Sequence, residues 1–175
     1  MRHCKVSYKW RKWSTSEQFK NDCRMYDTAP IFPIRYSIPK EKISRCYVST
    51  LSRSIETAHA VFGNLESTSS SLLDEVPLTA SIDTNIRLPL AFWNITGRLQ
   101  WLFNCKRQKE PRKATLARAR QAVDLLVKTN ENCVVVTHGF FIHSLLKAMK
   151  ERGFKFSKRS LNYANGECIV AESAR

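Results

Sequence analysis

Arg2 and His3 stand side by side at the start of the chain, and a second histidine, His138, follows the apolar run "VVVT". An imidazole can serve as nucleophile, acid or base near neutral pH, and a guanidinium grips phosphate through parallel N–H bonds. First residues are commonly frayed, so the pair reads either as a basic tail or as a chemical group beside its electrostatic partner. Residues further along bear on the choice. Arg53 falls at the opening of a helical pattern in "VSTLSRS", and His138 with Gly139 falls just before another in "VVVTHGF". The first turn of a helix directs unpaired N–H groups and a positive dipole end outward, which suits an anion. A guanidinium at one such end and an imidazole at the other favour phosphate. Arg2 and His3 would add a second fork and a second ring.

Both ends belong to strand–turn–helix units. "RCYVST" (45–50) is rich in β-formers, and Leu51, Ile55, Ala58 and Phe62 then recur at helical spacing until Gly63. "NCVVVT" is a continuous apolar run of the kind parallel sheets bury. Ile142, Leu145, Leu146 and Met149 follow it as a helical stripe, with Gly153 as the expected C-cap. Helices are also predicted over 113–128, over 90–104 and around Ser16–Tyr26. "APIFPIRYSIP" reads as extended, "ESTSSS" as a loop and "ECIVAES" as a last strand. Alternating strands and helices predict an α/β fold with a mostly parallel sheet, whose ligands sit beyond the carboxyl ends of its strands. Residues 1–175 suit one domain.

Composition narrows the partners. Lys and Arg number 29 against 15 Asp and Glu, a formal charge of +14 that attracts polyanions: nucleic acid, anionic lipid or phosphorylated small molecules. Basic and aromatic residues interleave in "KVSYKWRKW", which fits a single-stranded nucleic-acid platform or, more simply, a solvated face. No apolar run approaches the ~20 residues of a membrane span, so no membrane role is expected. The six cysteines form no C-x-x-C pair and no cluster with histidine. They read as reduced thiols, and with no export signal at the start a cytoplasmic location is expected, with no metal and no cofactor.

Four segments carry a family resemblance: "RHC" at 2–4, "STLSRSIETA" at 49–58, "LDEVPL" at 73–78 and "VVVTHGFFIHSLL" at 134–146. In this order the chain resembles the histidine phosphatase superfamily, in the branch holding the cofactor-dependent phosphoglycerate mutases. The resemblance implies a three-layer α/β/α fold around a mostly parallel sheet. It implies a metal-independent phosphomonoester hydrolase acting on a phosphorylated small molecule. His3 would take the phosphoryl group, Arg2 and Arg53 would bind it, and His138 would hydrogen-bond its oxygens. Glu75 would be the proton donor, with Asp74 as a neighbour able to oppose its ionisation. Mutases of the family tend to be longer, so the short chain favours a phosphatase.

Two departures shape the expectations. Cys4 stands where the family has glycine, and Met1 alone stands where the family has an apolar strand feeding the Arg-His turn. A sheet short of that strand would seat His3 less firmly, so the alternative is a weak or inactive phosphate-binding member of the same fold. A basic nucleic-acid-binding protein is the remaining alternative. His59 is expected at the surface, Trp93 and Trp101 in core or lid packing, and His143 on a helix face near the site.

Overall fold

The computed structural model describes residues 1–32, 43–63, 65–158, 160 and 162–173. The expected extended piece "APIFPIRYSIP" falls mainly outside the described residues.

Strand β1 (Trp13–Ser14) leads into helix α1 (Ser16–Thr28). Thr15 caps α1: its side chain accepts from Gln18 N, and the Gln18 side chain returns a bond to the Thr15 backbone N–H. Strand β2 (Arg45–Val48) and helix α2 (Ser52–Phe62) come next, followed by β3 (Ser67–Ser69) and a short 3₁₀ turn at Ser71–Leu73. Strand β4 (Leu88–Pro89) opens directly into α3 (Leu90–Leu102), and α4 (Arg112–Thr129) precedes β5 (Cys133–Val136). Helix α5 (Phe141–Glu151), β6 (Phe154–Phe156) and β7 (Ala171–Ser173) complete the order. Between α5 and β6, Gly153 takes φ 84°, a left-handed value that turns the chain after the helix.

The central sheet is parallel in the order β3-β2-β5, with Tyr47 opposite Val135 and Val48 opposite Val136. The period of two sorts β2 onto two faces. Cys46 and Val48 turn toward α2, packing with Ala58, Val61, Phe62 and Val136. Tyr47 turns the other way, toward Ala119, Val123 and Leu126 of α4 and Phe141, Leu145 and Ala148 of α5. The result is the expected three layers: α2, the sheet, then α4 with α5. A third cluster joins α1 to α3, where Phe19 stacks on Trp93 at 5.5 Å between ring centroids. Trp93 is fully buried and its Nε1 donates to Ser14 O, so it is packing, as expected.

The first residues extend the sheet beside β5. Thr137 N donates to Met1 O and His3 N to Thr137 O, at 3.0 and 2.9 Å. On the other edge, Arg2 N donates to Glu167 O at 3.0 Å, and Gly166 N reaches both Arg2 O and His3 O. The His3 backbone is therefore bonded on two sides, and its side chain is 2% exposed.

Two expectations on strands need correction. "ESTSSS" contains β3, which pairs in parallel with β2, Cys46 opposite Ser67. Its side chains are exposed or half-buried, so backbone hydrogen bonds hold it and no apolar pattern betrays it. The strand read in "ECIVAES" is confined to β7, which pairs antiparallel with β6 outside the parallel sheet. Among the described residues no helix is long and apolar enough to cross a membrane.

Candidate active site

Three chain segments converge at the carboxyl end of the sheet. Residues Met1–His3 and the turn after β5 lie side by side, and the turn from β2 into α2 supplies Arg53. His3 and His138 face each other with ring centroids 5.0 Å apart and planes inclined by 53°. Arg53 Nε donates to His138 Nδ1 at 3.1 Å, and an Arg53 terminal nitrogen pairs with Asp27 Oδ1 at 2.9 Å. Its guanidinium carbon also lies 5.1 Å from the centre of the Tyr26 ring, within cation–π range.

Arg2 completes the group from the other side. Its guanidinium lies against Gly139, where a Cβ would come within 2.8 Å of Nε. One terminal nitrogen donates to Tyr163 O, whereas Nε is buried without a hydrogen-bond partner. A buried unpartnered guanidinium N–H is costly and marks a place for an acceptor.

The tautomer of His3 follows from its neighbour. Nδ1 lies 2.7 Å from Cys4 O, a carbonyl that can only accept, so Nδ1 carries the proton and Nε2 keeps the lone pair. Burial, followed by the charge of Arg53 and then of Arg2, pushes the His3 pKa down to about 3, against the opposing bond to Cys4 O. Burial and then Arg53 hold His138 well below the usual imidazole range. Both rings are neutral at pH 7.

Cys4 does not crowd the site. Its side chain packs into the α2-facing core, and its backbone N–H donates to Thr57 Oγ1 at 2.9 Å. Cys4 is absent from the residues with positive φ, so a glycine's freedom is not used there. Thr57 passes the link on by donating to Arg53 O at 2.6 Å, which ties the His3 turn to the helix carrying Arg53.

Glu75 caps α5. Its Oε1 accepts from Phe141 N at 3.0 Å and from Val76 N at 2.9 Å, and Oε2 accepts from Phe140 N at 3.3 Å. The carboxylate thus stands at the positive end of the helix that begins just past His138. Asp74 turns elsewhere. It accepts from Ser49 Oγ, Thr50 N and Thr50 Oγ1, each at 2.7 Å, and ties the loop to the β2–α2 turn rather than opposing the charge of Glu75.

The loop itself is held from behind. Arg118 on α4 donates to the carbonyls of Ser71, Leu72 and Asp74 at 3.4, 3.0 and 2.8 Å. Its other two nitrogens form a two-bond pair with Glu110, and its guanidinium lies over Phe141. Arg98 on α3 closes the same side, donating to Val76 O with its guanidinium 3.7 Å from the centre of Phe140.

Every residue singled out from the sequence reaches this neighbourhood: Arg2, His3, Arg53, Glu75 and His138. His143 is exposed on α5 with its ring 5.3 Å from Tyr163, and His59 is at the surface. Sequence reasoning missed Asp27, Ser49, Ser54 and Thr57 as partners of the site. Ser49 and Ser54 flank the strand end already picked out by Arg53, which was a usable signal. Asp27, on the last turn of α1, offered none.

Comparison with known proteins agrees with this architecture. The family model of the histidine phosphatase superfamily (branch 1) matches residues 34–174, and the chain belongs to that superfamily. The matched range includes Arg53, Glu75 and His138. Comparison with curated proteins finds no match by sequence. Among solved structures, phosphoserine phosphatase from Entamoeba histolytica in complex with 3-phosphoglyceric acid is 16% identical with a TM-score of 0.54. That comparison covers 86% of this chain and 77% of the other. A mutant of the same enzyme in complex with phosphoserine is 17% identical with a TM-score of 0.54, covering 98% and 92%. A mycobacterial hydrolase is 18% identical with a TM-score of 0.54, covering 86% and 70%. At these identities the likeness is one of fold.

Proposed function

We propose that the protein is a metal-independent phosphomonoesterase that works through a phosphohistidine on His3. One observation carries the reading: the His3 imidazole, its Nδ1 held by Cys4 O, is buried with its ring 5.0 Å from that of His138, while Arg53 bonds His138 and Arg2 lies against Gly139. Membership of the superfamily supports it, and so do the phosphoserine and 3-phosphoglyceric acid complexes of the solved relative.

The chemistry follows from these positions. Nε2 of His3 attacks phosphorus with its lone pair and becomes cationic, so no proton has to leave the nucleophile first. Arg2 and Arg53 stabilise the charge that spreads over the phosphoryl oxygens, and His138 hydrogen-bonds one of them. The unpartnered Nε of Arg2 is an open donor for that purpose. Arg53 turns from His138 and Asp27 toward the anion. Glu75 gives a proton to the leaving oxygen and takes one from the water that releases phosphate. Its longest contact, 3.3 Å to Phe140 N, is the first that a substrate would displace. The substrate is a phosphorylated small molecule.

The test is hydrolysis of an aryl phosphate in excess chelator. Activity is expected in the wild type and absent in His3→Ala, with an acid-labile, alkali-stable phosphoprotein trapped only in the wild type. Equal rates in both proteins would reject the mechanism.

A further inference from the structure

His138 is fully buried, and both of its ring nitrogens are engaged. Arg53 can only donate, so Nδ1 carries the lone pair and the ring proton resides on Nε2. Nε2–H donates to Ser49 Oγ at 2.7 Å, with Ser54 Oγ a longer contact at 3.3 Å. The Ser49 hydroxyl proton goes in turn to Asp74 Oδ1 at 2.7 Å. Asp74 is held in place by the two bonds from Thr50. Donation therefore runs one way, from Arg53 through His138 and Ser49 to Asp74.

We propose that Ser49 and Asp74 are positioning residues for His138. They anchor its ring through Nε2–H and leave Nδ1 to pass from Arg53 to a phosphoryl oxygen, the ring taking up one solvent proton at Nδ1 as the anion binds. This inference rests on the phosphate-binding reading above.

The charges around the ring give the reason for the uptake. Arg53 on α2, His3 and Arg2 on the first residues and Arg118 on α4 all disfavour a cationic His138, and burial disfavours it most. Asp74 reaches the ring through Ser49 and Asp27 reaches it through Arg53, while Glu75 stands at the head of α5. A dianion held between the arginines reverses this balance, because a neighbouring opposite charge favours the protonated imidazole. A protonated ring needs two acceptors. The phosphoryl oxygen serves Nδ1 and Ser49 serves Nε2, but Ser49 is a dependable acceptor only while Asp74 takes its own proton. Without Asp74 the hydroxyl hydrogen can point at Nε2 instead.

Calorimetric titration of the whole protein with sulfate, in two buffers of different ionisation heat near pH 7, tests the proposal. Sulfate is a tetrahedral dianion that does not itself titrate there. The wild type is expected to take up close to one proton per sulfate bound. Ser49→Ala and Asp74→Ala lose most of that uptake and bind sulfate about 10-fold more weakly, the scale of one charge-assisted hydrogen bond. Ser49→Thr, which keeps the hydroxyl, restores both. In ¹⁵N spectra His138 should carry protons on both ring nitrogens in sulfate-bound wild type and on one in Ser49→Ala. A purely structural role would lower stability without changing the proton count. Sulfate binding with no uptake, or uptake unchanged in both alanine variants, overturns the proposal and leaves the phosphate site standing. No sulfate binding by the wild type removes both.

Discussion

The Arg2 guanidinium occupies the space that a side chain at position 139 would need: a Cβ on Gly139 would stand 2.8 Å from Arg2 Nε and 2.9 Å from Cζ. The glycine beside His138 leaves room for the arginine at position 2, which lies alongside the turn after β5. Gly139→Ala should therefore displace the guanidinium and leave the fold intact. The expected result is a loss of about 10- to 100-fold in kcat/KM for an aryl phosphate, the scale of a misplaced charged group. Wild-type kinetics in this variant would show that Arg2 need not lie where it does.

The acid side of the stability curve should report the buried imidazoles. The His3 pKa is down to about 3, against about 6.5 for an unfolded histidine. Between those values the unfolded chain binds a proton that the folded one refuses. Stability is thus fully present above pH 6.5 and falls as the pH drops toward 3. For His3 alone the loss from pH 7 to pH 5 comes to about 2 kcal/mol. Urea unfolding at the two pH values should show a drop smaller by about that amount in His3→Asn. Parallel curves for the two proteins would contradict the burial of a neutral ring.

Glu75→Gln separates the proposed proton donor from the helix cap. Glutamine keeps a carbonyl to accept from Phe141 N but cannot cycle a proton in the same way. Hydrolysis of an alkyl phosphate, whose leaving oxygen needs protonation, should fall about 100-fold or more. Hydrolysis of nitrophenyl phosphate, with its good leaving group, should fall far less. Equal losses on the two substrates would assign Glu75 to structure alone.

Thr57 links the His3 turn to α2, accepting from Cys4 N and donating to Arg53 O in a fully buried place. Thr57→Val keeps the shape and strands the Cys4 N–H. Denaturant unfolding should register a loss of about 1–3 kcal/mol, the cost of an unsatisfied buried donor. Thr57→Ser should recover most of it, and a neutral Thr57→Val would mean that Cys4 N finds another acceptor.

The legible parts of the chain were those where burial imposes a period. Cys46, Tyr47 and Val48 with the Val134–Val136 run announced the sheet, and the stripes of α2 and α5 announced the helices that follow. Arg53 and His138 could then be placed at strand ends beside the Arg2–His3 pair, and the resemblance supplied Glu75 and the role expected of His3. What stayed hidden was held by hydrogen bonds rather than by apolar surface. Strand β3 is built from serine and threonine, so nothing in its pattern distinguishes it from a loop. Asp27 joins Arg53 from another element, and Asp74 joins Ser49 across the intervening α2 and β3. Such pairings across elements leave no local spacing to read. Even Asp74, noticed for its place beside Glu75, turned out to serve the turn that follows β2.

The grip of Arg118 on Ser71, Leu72 and Asp74 has a wider meaning. Helix α4, which supplies none of the residues proposed to meet phosphate, fixes the backbone of the loop that carries Asp74 and Glu75. Its partner Glu110 steadies it from the α3–α4 connection. Substitutions on α4 can therefore shift both carboxylates while leaving unchanged every residue proposed to touch phosphate.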